Sequence, residues 1–500
     1  FSCATLTFFL LLASPAFFHL LDIASSSLIY FTKPMTQDTA IPSATQAPHA
    51  QNPFINLVRD QNITIIPEFV LEIGVTLRDV PVGWKSWGRL NERRDNVMVI
   101  CHALSGSADV EDWWGPLIGP NKAFDTGKYF IFCANVLGSP YGTASPVTIN
   151  PDTGRIYGPE FPLTSVRDDV RLHRVVLEGL GISQVAIVIG GSLGGMQVLE
   201  WAAFGPDFVR NFVPIATSGR HSAWCISWGE AQRQSIYSDP DYLDGYYTFD
   251  HPPATGLAAA RMAALLTYRS RNSFESRFGR KPTPRPVAHI RPGSPTEANV
   301  LIHNDGHKKS GMVSGRAGAG TATVSLSDPF PSLGGSTTIN NPPPPTPLVF
   351  SAQSYLRYQG DKFVGRFDAN CYIAITRKMD VHDIARERGE FEEVLRGFVQ
   401  PSLVIGIETD GLFTISEQYE LAEHFPDAEM VVIQSPDGHD GFLLEFDQIN
   451  RHILRFAQRV LPEIYAREDD AGSDGEKAGE QLRATKTSLF GEAEVDITNW

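Results

Sequence analysis

Residues 185–204, VAIVIGGSLGGMQVLEWAAF, pass from β-branched and apolar residues through glycines around one serine into a helix-like pattern. Val185 to Ile189 read as a buried strand, and Met196, Leu199 and Ala203 recur at helical spacing. Gly190-Gly191-Ser192-Leu193-Gly194 therefore fits G-x-S-x-G at a strand-to-helix corner, the context that motif requires. A serine on so tight a turn needs neighbours without side chains, because Cβ atoms would collide with adjacent elements and the backbone takes strained angles. The outcome is an exposed hydroxyl near a helix N-terminus. The N–H of Leu193 then points toward any oxyanion formed on an acyl group carried by Ser192.

G-x-S-x-G also occurs by chance, so the other members of a nucleophilic triad are sought in the order Ser, Asp, His. Asp410 ends the apolar run LVIGIETDGLF, where the carboxyl end of a strand delivers it to a site. His439 lies in SPDGHDGF, just after the run EMVVI. Serine is a poor nucleophile at its free pKa, so His439 is expected to take its proton while Asp410 orients the ring. A second oxyanion donor is expected from CHALSGSAD, after the strand Val97 to Ile100, through the N–H of Leu104.

Around these residues the chain alternates. NVMVICHAL, YFIFCANVLG, VAIVIGG, FVPIAT, SLVIGIETD and EMVVIQSP read as buried strands of a mainly parallel sheet. SVRDDVRLHRVVLEGLG reads as an intervening helix, with Ser165 as N-cap, Asp168 in the first turn and Gly179 or Gly181 near its stop. The fold class is thus α/β, with helices on both faces. Residues 218–280 break the rhythm with helix-rich sequence that suits an inserted lid over the site. The Pro-, Gly- and Ser-rich 281–347 cannot bury enough apolar surface to fold alone. The expected division is an N-terminal extension without order (1–60), a first core segment (61–217), the lid (218–280), a disordered insertion (281–347), a lid return (348–400), a second core segment (401–465) and a charged tail (466–500).

A 500-residue chain with 42% hydrophobic and 20% charged residues has an ordinary globular balance, for one large domain with insertions or two domains. Its formal charge of -15 argues against nucleic acid as a partner. Five scattered cysteines without CxxC spacing suggest neither a disulfide framework nor a zinc cluster, and a reducing, cytoplasmic compartment is expected. Cys101 and Cys133 sit in strand-like runs as small buried hydrophobes. GRAGAG has no preceding strand, and no metal site is expected because the histidines, His303 and His307 included, lack ligand spacing. FFLLLASPAFFHLLDI resembles the apolar region of a signal peptide without a basic segment before it; translation is expected to begin at Met35. Were it a signal peptide, Asn62 in NIT would be a glycosylation acceptor.

ICHALSGSADVEDWWGPLIG, CANVLGSPYGTASP, FPLTSVRDDVRLH, GGSLGGMQVLEWA, GLAAARMAALLTYRS, SYLRYQGDKFVGRFDANCYI and DGHDGFLLE together resemble the homoserine O-acetyltransferase family. The matches span roughly residues 65–460 outside the low-complexity insertion. The resemblance implies an α/β-hydrolase fold with a helical lid, no permanently bound cofactor, acetyl-CoA as co-substrate, L-homoserine as acceptor, and a homodimer. It also implies that Arg261 and Asp440 bind the amino acid. A guanidinium can hold a carboxylate and a carboxylate an ammonium, fixing a zwitterion from both ends. Departures from the family pattern are the N-terminal extension, the 281–347 insertion and Leu193, where methionine is common. Related enzymes acylate serine, use succinyl-CoA or acetylate a cephalosporin precursor. A serine hydrolase shares the triad but has no need of the Arg261 and Asp440 clamp, and a non-catalytic binding protein would be expected to have lost a triad member.

Overall fold

The computed structural model describes residues 52–283, 294–307, 349–466 and 482. One sheet is built from β1 (Asn62–Val70), β2 (Thr76–Trp87), β3 (Val97–Cys101), β4 (Phe130–Ala134), β5 (Ile187–Gly191), β6 (Phe212–Ile215), β7 (Ser402–Ile407) and β8 (Ala428–Ile433). Their spatial order is β1-β2-β4-β3-β5-β6-β7-β8. Every pairing from β4 to β8 is parallel, and β1–β2 and β2–β4 are antiparallel. The six runs read as strands from sequence are β3 to β8. The first two strands were not legible because prolines interrupt both: Pro67 lies on the edge strand β1, where a missing N–H is tolerated, and Pro81 in β2.

The central strands are buried on both faces, which is why they lack a polar alternation. In β3, Val97, Val99 and Cys101 pack to one side and Met98 and Ile100 to the other. The helices begin with α1 (Val110–Trp114), α2 (Val166–Gly179) and α3 (Leu193–Ala202). Ser165 caps α2 in a reciprocal box with Asp168, and Gly181 follows at φ 74°. Val170 and Val176 of α2 and Val198 and Trp201 of α3 cover the Val97 face.

Between β6 and β7 the chain leaves the sheet for α4 (Ala223–Tyr237), α5 (Ala254–Tyr268), α6 (Arg271–Arg277), α7 (Pro295–His303), α8 (Ser351–Val364), α9 (Ala369–Asp380) and α10 (Phe391–Arg396). It then returns through α11 (Ile415–His424), α12 (Gly441–Leu444), α13 (Phe446–Val460) and α14 (Pro462–Tyr465). Phe363 and Tyr372 of the lid share one apolar cluster with Leu104, Leu193 and Met196 of the core. A buried ion pair adds a polar tie: Lys378 Nζ in α9 lies 2.7 Å from both carboxylate oxygens of Asp169 in α2. Burial pushes the Asp169 carboxyl up to about 6 and the Lys378 ammonium down.

Two segments expected to lack order contain local structure. Within 281–347, α7 starts at Ser294, whose hydroxyl accepts the Glu297 N–H at 3.2 Å, with Pro295 in the first turn. Within 1–60, Val58 is buried and Asn52 donates to the Pro140 carbonyl at 2.8 Å. The Met35 start, the signal-like stretch, GRAGAG and all but Ala466 and Leu482 of the tail lie outside the described residues. Among the described residues no helix is long and apolar enough to cross a membrane.

Three buried histidines and the half-buried His221 make the fold acid-sensitive. Burial holds His102 down to about 4 and His173, His221 and His382 to about 3, below the usual 6.5. The unfolded chain protonates them first, so stability falls from about pH 6.5 downward until the folded groups themselves titrate, by roughly 1.4 kcal/mol per pH unit for each. Asp169 and Glu417, pushed up by burial to about 6 and about 7, and Asp109, Asp168, Asp368 and Asp380, raised by burial as well, take up protons in the folded state first and make this slope shallower than the histidines alone would give. Thermal melting at pH 7.5 and pH 5 should show a lower Tm at pH 5; an equal or higher one contradicts the reading.

Candidate active site

Ser192 sits at φ 60°, ψ -125° between β5 and α3, a left-handed backbone that a residue with a Cβ rarely adopts. The packing explains the surrounding glycines. A Cβ on Gly190 would lie 2.6 Å from the Gly194 carbonyl oxygen, and one on Gly195 2.5 Å from the Thr217 side chain. Gly194 packs directly on the Cys101 carbonyl at the end of β3. Three hydrogen bonds to the Ser192 backbone hold the corner: its N–H donates to Ile215 O at 3.0 Å, while its carbonyl accepts from Met196 N–H at 3.1 Å and the Thr217 hydroxyl at 2.8 Å. As the first residue of α3, Leu193 has an N–H with no intrahelical acceptor.

The other triad candidates arrive from the loops after β7 and β8. Asp410 Oδ2 lies 2.7 Å from His439 Nδ1, and its Oδ1 accepts the N–H groups of Leu412 at 2.8 Å and Phe413 at 3.0 Å. The carboxylate is therefore fixed by its own turn before it fixes the imidazole. The rings of Phe413 and Phe442 stand 5.3 Å from that of His439 and shield it from water. Ser192 and His439 line one cavity, together with Leu104, Tyr268, Trp228, Phe413 and Phe442 among others.

The loop after β3 reaches the elbow because Cys101 pairs with Gly190 in the β3–β5 ladder. His102, which sequence reasoning passed over, sets the orientation of this loop. Its Nδ1 donates to the Ala103 carbonyl at 2.8 Å, and its Nε2 accepts the Val136 N–H at 3.1 Å. A carbonyl only accepts and a backbone N–H only donates, so these partners fix the neutral Nδ1–H tautomer. Gly106 N–H donates to the same carbonyl at 3.0 Å. In a trans peptide the C=O and the following N–H point opposite ways, so tying down the Ala103 carbonyl turns the Leu104 N–H away from His102. The available signal was a histidine directly after a buried strand, two residues before the residue assigned as a donor.

Arg261 and Asp440 do not line the cavity with Ser192 and His439. Arg261 is buried on α5 with its guanidinium 4.9 Å from the Phe363 ring and 5.6 Å from that of Tyr268. Tyr268 lines the cavity, and its ring is 6.2 Å from that of His439, so it connects Arg261 to the site. Asp440 Oδ2 lies 2.7 Å from Arg269 Nε, and Arg269 Nη1 also donates to Asp437 at 3.0 Å. Asp440 thus has a cationic neighbour that the sequence did not reveal. Cys225 lines the cavity, but burial pushes its thiol up to about 12, and Cys101, Cys133 and Cys371 are buried free thiols pushed upward in the same way. None supplies a thiolate at neutral pH.

A family model described as the alpha/beta hydrolase fold matches residues 96–446. The chain is 57% identical to a homoserine O-acetyltransferase of Emericella nidulans, with 90% of this chain and 96% of that protein covered. It is 53% identical to a homoserine O-acetyltransferase of Saccharomyces cerevisiae at the same coverage. Among solved structures it resembles a homoserine O-acetyltransferase from Bacillus anthracis, with a TM-score of 0.64 at 22% identity over 80% of this chain and 98% of that one. It also resembles esterase E22, with a TM-score of 0.62 at 25% identity over 80% and 99%. A shared fold with an esterase leaves the chemistry to the site, whereas identity above one half over nearly the whole of both chains reaches further. The chain belongs to the homoserine O-acetyltransferase family, acyltransferases built on the α/β-hydrolase fold.

Proposed function

We propose that this chain transfers an acetyl group from acetyl-CoA to the side-chain hydroxyl of L-homoserine, giving O-acetyl-L-homoserine for methionine synthesis. The observation that carries the reading is Ser192 at φ 60° opening into the same cavity as an Asp410-anchored His439, in a chain this similar to homoserine O-acetyltransferases. Ser192 Oγ attacks the thioester carbonyl while His439 takes its proton. The C–S bond then breaks, and the leaving thiolate recovers that proton from His439. In the second half-reaction the homoserine hydroxyl gives its proton to His439 and its oxygen attacks the acyl carbonyl. Ser192 departs and is reprotonated.

Both tetrahedral intermediates place a negative oxygen between the N–H groups of Leu193 and Leu104, which act as the oxyanion donors. His102 serves as a positioning residue for the second of these. Arg261, one layer behind Tyr268, is assigned the acceptor carboxylate and Asp440, which shares its charge with Arg269, the ammonium; neither lines the cavity, so the acceptor must reach past the Tyr268 wall to meet them. Acceptors that differ by one methylene are separated by only about 1 to 3 kcal/mol in an apolar pocket, so acceptor choice must be measured.

Thiol release from acetyl-CoA should depend on L-homoserine. Release without any acceptor indicates a hydrolase, and release only with L-serine, or only from succinyl-CoA, moves the assignment to a sister activity. Arg261→Ala should leave acylation of the enzyme in place and slow the second half-reaction; equal loss of both would remove Arg261 from acceptor binding. His102→Ala should lower kcat by about 10²- to 10³-fold, as loss of one oxyanion donor does, with KM changing far less. His102→Asn, whose amide can restore a donor to the Ala103 carbonyl, should recover part of the rate. A matching rise in KM without change in kcat would assign His102 a merely structural part.

A further inference from the structure

The lid grips the loop that carries His439. Tyr268 ends α5, Ser270 caps α6, and Arg269 lies between the two helices. On the other side of the contact, Asp437 and Asp440 stand two residues before and one residue after His439. Gly438 takes φ 70°, and a Cβ there would fall 2.6 Å from the Ser270 nitrogen and 3.0 Å from the Tyr268 carbonyl oxygen, so backbone meets backbone. Only glycine fits so close an approach.

Side chains complete the grip. The Ser270 hydroxyl donates to the Pro436 carbonyl. Asp437 Oδ1 accepts from Ser273 Oγ at 2.5 Å, Arg277 Nη2 at 2.8 Å and Arg269 Nη1 at 3.0 Å. Burial works against the Asp437 carboxylate, yet Ser273, Arg277 and Arg269 hold it below the usual carboxylate range. Arg269 also places its Nε 2.7 Å from Asp440 Oδ2, with its side chain only 2% exposed. One buried guanidinium thus spans the two carboxylates that flank His439, a task suited to its planar fork.

The core holds the same loop differently. Thr409, next to Asp410, donates its hydroxyl to the Ser435 carbonyl at 2.7 Å and accepts the Gly438 N–H at 2.9 Å. With the bond from His439 Nδ1 to Asp410, these ties fix the loop backbone and one ring nitrogen. A bond at Nδ1 alone lets the ring tilt, so the reach of Nε2 to Ser192 depends on where the loop is held on its lid side.

We propose that Arg269 is the positioning residue through which the lid sets the base: by spanning Asp437 and Asp440 it holds His439 in register with Ser192. The assignment rests on His439 acting as the base in the reading above. Since α5 carries Arg261 and ends at Tyr268, the helix assigned to the acceptor also places the group that activates it.

The test reads acylation without an acceptor, where the ammonium role of Asp440 plays no part. Acetylation of the intact protein by p-nitrophenyl acetate, followed as release of p-nitrophenolate, is measured beside thiol release from acetyl-CoA with L-homoserine. Arg269→Gln should slow both by about 10- to 10²-fold, the cost of a reacting group displaced by about 1 Å. Asp437→Asn keeps the side-chain shape and weakens one end of the bridge; it should lower kcat by a smaller factor and leave the KM for homoserine unchanged. Arg269→Lys returns the charge without the fork and should recover part of the loss. Acylation at the wild-type rate in both Arg269→Gln and Asp437→Asn, with or without a lowered Tm, overturns the assignment, as does a rise in homoserine KM with kcat unchanged. If Arg269→Gln does not fold, wild-type acylation in both Asp437→Asn and Arg269→Lys overturns it equally. Wild-type protein that is acetylated by the nitrophenyl ester but releases no thiol from acetyl-CoA removes the acyl-transfer reading, while the variants' acylation rates still decide for Arg269. Failure with both reagents removes the base and the assignment together.

Discussion

Everything in the site is hung from the corner at Ser192. A non-glycine residue at φ 60° carries strain of order 1 to 3 kcal/mol, and it persists only where the surroundings over-determine it. Here they do so through the Ile215 and Thr217 bonds to its backbone and through glycines pressed on the end of β3 and on Thr217. The same close approach that forbids side chains at Gly190, Gly194 and Gly195 brings α3 down onto β3 and β6. It leaves the first N–H of that helix without an intrahelical acceptor and brings the loop after β3 alongside the elbow. The strain at Ser192, the free first N–H of α3 and the place of the serine at the cavity are thus three aspects of one packing arrangement.

A second layer of constraint orients the groups around that corner. Asp410 is held by two N–H groups of its own turn, His439 by Asp410, and the Ala103 peptide by His102. Each side chain that would move a proton or a charge is fixed by another that does neither. The lid completes the enclosure, and the buried Lys378–Asp169 pair together with the shared apolar cluster links it to the core. Removing one partner of such a pair would strand a charge in a dry interior, which makes it a specific tie between lid and core.

The core of this arrangement was legible because it depends on local rules. A strand, a glycine-flanked serine and a helix in succession, and an Asp and a His at later strand ends, need no knowledge of distant contacts. The strands buried on both faces were visible as uninterrupted apolar runs. What the sequence concealed depends on tertiary partners. Pro67 and Pro81 masked β1 and β2, whose pairing is set by the sheet edge. Ser294 and Pro295 start a short helix inside a stretch whose average composition suggests disorder. Arg269 beside Asp440 and the two bonds of His102 join groups that ordinary spacing rules do not connect. Arg261 was assigned only through family resemblance, and its packing against Phe363 and Tyr268 gives it a place that its position on α5 alone would not have suggested.

The central claim, that Ser192 carries the acyl group, is most directly tested by trapping the protein with acetyl-CoA in the absence of an acceptor and locating the modification by mass spectrometry of its peptides. One acetyl group on the peptide containing Ser192, lost on addition of L-homoserine and absent in Ser192→Ala, is the predicted result. An acetyl group on another residue, or turnover by Ser192→Ala at the wild-type rate, would contradict the account.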